Sequence, residues 1–233
     1  MKNLITIILF ALYNNLNAQS ITFQDKNLKK ALIELGFDKN KNSQIEHNEI
    51  MNVEKLNVSN RNIKSLADIV HFKNLKELNV MTNQISDIKV LWGNTVLEEL
   101  YIGENKLGPE LIIKDMPNLR GLYAFRNGIS NFKFLSELPN LKSLYIQGNP
   151  VVDLNLENVI NLQSLQLFEC DDLKTIDINK NTKIKNFFIV DMKITNIVSK
   201  NDTIKTVYLE SSLDAKNPSE IENIKIAPTI KIK

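Results

Sequence analysis

The sequence predicts an α/β solenoid. Its parts are a curved sheet of short parallel strands on the concave side, 3₁₀ turns or short helices on the convex side, and a helical cap at the N-terminal end. Three observations predict it. Val53, Leu75, Leu97, Leu119, Leu141, Leu162, Ile184 and Ile204 follow one another at steps of 22, 22, 22, 22, 21, 22 and 20 residues. Within each step one apolar pattern recurs, as in LKELNVMTNQI from Leu75 and LKSLYIQGNPV from Leu141. Outside it, the apolar residues change to a spacing of three. A period of this length marks a stack of like units, none of which can bury its apolar face alone.

The strand comes first in each unit. Numbered from the leading aliphatic residue, the pattern is L-x-x-L-x-L-x-x-N-x-I, and positions 4 to 7 alternate apolar and variable. Stacked strands of this kind pair in parallel about 4.8 Å apart, so eight give a sheet ~34 Å across. Position 9 is asparagine in the central units: Asn83, Asn105, Asn127 and Asn149. The chain turns sharply after the strand and strands backbone groups there, and an inward amide offers two donors and an acceptor to satisfy them. Flanking units carry Arg61, Cys170, Met192 and Ser212 in that place. Cys170 fits as a small, buried, structural group.

The second half of each unit reads as convex 3₁₀ turn or short helix. Ile63, Leu66, Ile69 and Phe72 follow the spacing of three, as do Ile129, Phe132, Leu135 and Leu138. Pro117 and Pro139 block helix continuation just before the next strand.

These residues resemble the bacterial leucine-rich-repeat proteins of the 22-residue, internalin-like type. The resemblance spans about Val53–Ser212. It implies a leucine-rich-repeat solenoid whose role is binding, not catalysis.

Four segments are expected: a signal peptide at 1–18, a cap at 19–52, eight repeats over 53–213 and a C-terminal cap at 214–233. Lys2, the apolar stretch Leu4–Tyr13 and Ala18 supply a secretory signal. The stretch is shorter than the about 20 residues a bilayer needs, so an uncleaved anchor is the weaker alternative. The expected product is an exported, soluble protein, secreted or periplasmic. In the cap, Leu28, Ala31, Leu32 and Leu35 line one face of a helix over Asp25–Leu35. The loop after it has the spacing of a twelve-residue EF-hand, with Asp38, Asn40, Asn42, Gln44, Glu46 and Glu49 at positions 1, 3, 5, 7, 9 and 12. Ser43 replaces the usual glycine and two donors are neutral amides. The loop is therefore either an Asx-rich turn joining two cap helices or a weak calcium site, at about 10⁻⁴–10⁻³ M. No other cofactor is implied. After the repeats, a final strand or hairpin and no separate anchoring module are expected.

The 29 basic and 27 acidic residues nearly balance, leaving a formal charge of +2. That argues against a nucleic-acid partner. One cysteine precludes an internal disulfide framework. The two histidines, His47 and His71, and Cys170 form no catalytic spacing, and His71 reads as a surface residue, so no enzymatic activity is expected.

What the scaffold leaves free is informative. Positions 3, 5 and 7 should face out from the sheet. Position 5 reads Asn57, Asn79, Tyr101, Tyr123, Tyr145, Gln166, Phe188, Tyr208, and it holds every tyrosine after the signal segment. Position 7 adds Met81, Phe125, Phe168 and Val190, with Arg126, Glu99, Glu104, Glu169, Asp191 and Glu210 as a polar rim. Two readings stand. The rings stack only on one another, or they form the core of a binding surface for a protein or peptide, led by Tyr101, Tyr123, Phe125, Tyr145, Phe168 and Phe188. A glycan could use the same rings, although Trp92, the only tryptophan, falls on the convex side. A monomer is expected, with pairing of two copies through the aromatic face as the alternative.

Overall fold

A computed structural model describes residues 19–189, together with the backbone of three later strands at Asn196–Val198, Thr206–Tyr208 and Ile224–Lys225. The expected signal segment, the side chain of Tyr208, the rim residues Asp191 and Glu210, and most of 214–233 lie outside the described residues.

Eight three-residue strands form one parallel sheet. They are β1 (Lys55–Asn57), β2 (Glu77–Asn79), β3 (Glu99–Tyr101), β4 (Gly121–Tyr123), β5 (Ser143–Tyr145), β6 (Ser164–Gln166), β8 (Asn186–Phe188) and β10 (Thr206–Tyr208), in that order. Register follows the sequence step by step. Lys55 pairs with Glu77, Glu77 with Glu99, Glu99 with Gly121 and Gly121 with Ser143. The one shortened step of the centre, 21 residues, appears as Ser143 opposite Ser164, and the last step, 20 residues, as Asn186 opposite Thr206. Spacing along the chain is thus strand register in space. Positions 4 and 6 are buried throughout, from Leu56 and Val58 to Phe187 and Ile189.

The position-9 amides act as the argument from stranded backbone groups requires. Asn83 Nδ2 donates to the carbonyls of Val58 and Val80 at 3.0 and 2.9 Å, while its Oδ1 accepts from the N–H groups of Arg61 and Ile63 at 3.0 and 2.9 Å. Asn105, Asn127 and Asn149 repeat the arrangement. Cys170 takes over part of this set: its Sγ lies 3.6 Å from the Ile146 carbonyl, and the N–H groups of Asn149 and Gly148 donate to it. Burial pushes its thiol up to about 11, so the group is not poised as a nucleophile at neutral pH. A second, outer ladder was not foreseen. Asn74, Asn118, Asn140 and Asn161, each just before the leading leucine, donate to the preceding turn at Met51, Thr95, Pro117 and Pro139.

The convex side divides in two. Ala67–His71, Lys89–Leu91 and Lys133–Glu137 are 3₁₀ turns, as the spacing of three predicts. Toward the C-terminal end the turns give way to a second parallel sheet, of β7 (Thr175–Asp177), β9 (Asn196–Val198) and β11 (Ile224–Lys225); turns or a short helix were expected at β7 and β9, whereas β11 falls in the segment where a final strand or hairpin was expected. The physical reason is local. TIDI alternates β-branched and polar residues with a period of two and suits a pleated surface. Asn181 supports this side from within, donating to the carbonyls of Leu156 and Val159 at 3.0 and 3.1 Å.

The cap is helical. Helix α1 (Lys26–Glu34) buries Leu28, Ala31 and Leu32. Leu35, expected on the same face, is instead its exposed C-cap, because the chain turns away there. One Asp25 oxygen caps α1 through the N–H groups of Asn27 and Leu28, and the other accepts from Lys64 and Ser65 in the first repeat. Asp68 answers from the repeat, accepting from the N–H groups of Gln24 and Asp25. Burial works to raise the Asp25 carboxyl, but its four backbone donors overcome this and hold it below its ordinary value.

His71, read from the sequence as a surface residue, is only partly exposed. It is half-buried, and its ring meets that of His47, on the short helix α2 (His47–Ile50), at 5.2 Å and 65°. Burial lowers the His71 pKa below 6.5, helped by His47 and Lys73 and opposed by Asp68. The unfolded chain therefore binds the proton more readily. The stability this pairing carries is full above pH 6.5 and is lost as pH falls below it. Amide exchange in α1 and α2 should be faster at pH 5 than at pH 7.5, and His71→Gln should remove the difference. Exchange independent of pH in the unmodified protein, after correction for intrinsic rates, would contradict this account.

Candidate ligand-binding face

Positions 3, 5 and 7 of the main sheet share its outer side, because side chains alternate along each strand. The strands supply the spacing, and parallel register sets each residue beside its equivalent one repeat on. Tyr101, Tyr123 and Tyr145 are consecutive register partners. Their rings touch. Tyr101 and Tyr123 stack at 4.1 Å with planes 3° apart, and Tyr145 meets Tyr123 edge-on at 4.9 Å and 81°. Tyr145 Oη also lies 3.2 Å from Ser164 Oγ. All three rings remain half-buried, as do Phe125, Phe168 and Phe188. Burial, then the Glu99 charge, pushes the Tyr123 hydroxyl well above the ordinary tyrosine range, so it stays a neutral donor at any physiological pH.

Two glycines let this surface close up. A β-carbon at Gly103 would sit 2.4 Å from the Phe125 ring, so that ring lies across the bare backbone of the neighbouring strand. At Gly121 the vacated space holds the Glu99 carboxylate, whose Oε2 is 1.7 Å from where a β-carbon would stand. The reading of side-chain types alone missed both; their signal was glycine at positions 7 and 3, where other repeats carry side chains. Gln147, at position 7 between Phe125 and Phe168, is 9% exposed, and its Oε1 has no hydrogen-bond partner.

The rim is a chain of charges along position 8. Arg126 reaches over Gly148 to Glu169, with Nη2 3.0 and 2.8 Å from its two oxygens, and its Nη1 is 3.7 Å from Glu104. Glu104 in turn accepts from Thr82 Oγ1 at 2.8 Å. Asn60, Thr82, Glu104, Arg126, Gly148 and Glu169 all have φ between 48° and 66°, so this whole row adopts the left-handed turn that swings the chain out of the strand. The structure therefore brings Tyr101, Tyr123, Phe125, Arg126, Tyr145 and Phe168 onto adjoining strands, and Phe188 follows on β8.

The cap loop is organised by its own hydrogen bonds. Asp38 accepts from the N–H groups of Asn42 and Ser43, and Asn40 Oδ1 from that of Asn42. Glu49 accepts from Lys39, Asn40 and Glu46, closing the start of α2. Asn42 Nδ2 donates to Glu46, and the Gln44 side-chain oxygen accepts from Lys29 Nζ at 2.9 Å. The side-chain oxygens of Asp38, Asn40 and Glu49, which an ion would need, are thus turned to N–H donors. This donor set fits a hydrogen-bonded turn and fits a calcium cage poorly. Among the described residues, no three His, Cys, Asp or Glu side chains are grouped to hold a metal, and no helix is long and apolar enough to cross a membrane.

A family model described as Leucine Rich repeats (2 copies) matches residues 117–158. Among solved structures, an internalin (inlF) from Listeria monocytogenes is similar at 21% identity and a TM-score of 0.57, over 91% of this chain and 71% of that one. Internalin C2 from the same organism is similar at 21% identity and 0.56, over 93% of this chain and 100% of that one. The functional domain of InlJ from Listeria monocytogenes, which includes a cysteine ladder, is similar at 14% identity and 0.58; this chain spans 62% of it. Curated proteins yielded no match. At these identities the likeness is one of fold. In this chain Cys170 is the single cysteine, and asparagine fills the same position in four other repeats.

Proposed function

We propose, from the premise that this chain is an internalin-like leucine-rich-repeat protein, that it is an exported, non-catalytic binding module. It recognises a protein or peptide through the aromatic face of its main sheet. The observation that carries this reading is the run of touching rings at Tyr101, Tyr123 and Tyr145, flanked by Phe125 and Phe168 and left half-exposed. Contiguous apolar surface of this sort marks interfaces, and tyrosine gives large contact area at low entropic cost. Export is read from the signal-like segment at 1–18.

The test places a photo-crosslinking benzoylphenylalanine at Phe168, on the proposed face, or at Ile160, which is 50% exposed in a connecting segment. In the protein's native surroundings, adducts with a polypeptide are expected from position 168 and not from 160. Adducts from 160 alone would overturn the assignment. Adducts of carbohydrate from 168 would replace a protein partner with a glycan on the same rings.

For the cap loop we propose a structural turn without metal. Calcium up to about 10 mM should leave the melting temperature unchanged. A rise with calcium would restore the ion-binding reading for Asp38, Asn40, Asn42, Gln44 and Glu49.

A further inference from the structure

Several charges along the main sheet pair across neighbouring turns. Lys55 Nζ lies 2.7 Å from Glu77, Lys76 Nζ 2.9 Å from Glu54, and Arg120 Nη1 2.9 Å from Glu98. Each pair joins adjoining turns. Glu99 stands in the same row as Lys55 and Glu77, yet it has no ion pair among the described residues. Its register partners are Glu77 on one side and Gly121 on the other. Position 121 is where a lysine or arginine would complete the row, and a glycine is there instead.

The carboxylate settles into that gap. Its Oε2 is shielded from solvent and accepts no hydrogen bond, while the residue as a whole stays partly exposed. Burial raises the Glu99 pKa above its ordinary value; the Tyr123 hydroxyl opposes this, Glu77 and Glu98 add to it, and Arg120 opposes it. A half-buried carboxylate without an ion pair weakens the free protein and favours whatever brings it a positive charge. Beside it stand the stacked rings of Tyr101 and Tyr123, whose π-systems also attract cations. The Arg126 guanidinium serves Glu104 and Glu169, so it does not fill the gap.

We propose that the partner completes the row: a lysine or arginine side chain of the bound peptide docks on the Glu99 carboxylate beside the Tyr101–Tyr123 stack. This rests on the aromatic face being the binding surface, and it names the chemistry that surface selects.

The probes are n-butylammonium, n-butylguanidinium and, as the anionic control, butyrate, titrated into protein with ¹³C-labelled tyrosine rings. Both cations, but not butyrate, should shift the Tyr101 and Tyr123 resonances, and the tighter of the two identifies the preferred side chain. Glu99→Gln should weaken cation binding by about tenfold or more with a melting temperature no lower than that of the unmodified protein. Acidification through the titration of Glu99 should weaken binding only where Glu99 is present. Equal cation binding by Glu99→Gln overturns the proposal. A displayed peptide library selected on the protein separates this from the broader reading. Lysine or arginine should be enriched, and the enrichment should vanish on Glu99→Gln. Selected peptides that need Tyr123, Phe125 and Tyr145 but no basic residue overturn the cation site and leave the face intact. Peptides indifferent to loss of those three rings overturn the face itself.

Discussion

Replacing Asn149 with alanine is expected to destabilise the protein by about 3–5 kcal/mol. Asn149 is 2% exposed. Its Nδ2 donates to the carbonyls of Ala124 and Ile146 at 3.0 and 2.7 Å, and its Oδ1 accepts from the N–H groups of Asn127 and Ile129, each at 3.0 Å. Truncation leaves four backbone groups without their partner, each costing about 1–3 kcal/mol when no water replaces the amide. Two turns of the solenoid lose a shared bolt, because the groups belong to successive repeats. In a stack stabilised by neighbour contacts, a weak central interface also uncouples the two ends. The thermal transition should therefore fall by about 8–15 °C and broaden. Asn74→Ala is the internal comparison. Its bond to the Met51 carbonyl lies at the surface, where water substitutes, and its loss should cost under about 1 kcal/mol. Equal losses from the two variants would show that the inner amides do not carry the turn.

The contrast between those two asparagines also explains what was legible in the sequence. The inner ladder could be read because position 9 recurs against a fixed leucine frame, and a recurring polar residue beside buried positions has one physical use. Strand register was legible for the same reason: each step of the repeat is a step across the sheet, down to the shortened one between Ser143 and Ser164. The outer ladder uses the Asn-Leu pair at the head of the repeat, which reads as ordinary loop composition until its carbonyl partners are seen. The second sheet had a signal in the alternation of TIDI, but four residues of period two lie within a convex half-repeat that forms 3₁₀ turns in three earlier repeats.

The face itself was only half legible. The tyrosine column followed from position 5. That Phe125 lies over Gly103 and Glu99 over Gly121 depends on which side chain leans across which strand, and no periodicity encodes that. The His47–His71 contact and the Asp25–Asp68 clasp are likewise products of the cap closing on the first repeat, joining residues 24 or more positions apart. Local pattern reports neither.

The second large effect concerns binding. Changing Tyr123, Phe125 and Tyr145 together to alanine removes the centre of the aromatic surface while sparing every buried position of the repeat. Rings at the centre of an interface each contribute about 2 kcal/mol or more, so affinity for the partner should fall by about 10³-fold or more. The fold should survive. The ring contacts on this face contribute about 0.5–1.5 kcal/mol per pair, well below the cost of breaking the inner asparagine ladder. The circular dichroism spectrum should be unchanged and the melting temperature lower by only a few degrees.

The most direct test is the dissociation constant of a partner captured by crosslinking at position 168, measured for the unmodified protein and for the Tyr123→Ala, Phe125→Ala, Tyr145→Ala variant. A loss of about 10³-fold with the spectrum intact is the expected result. Equal affinities for two folded proteins would contradict the account and remove the aromatic face as the binding site.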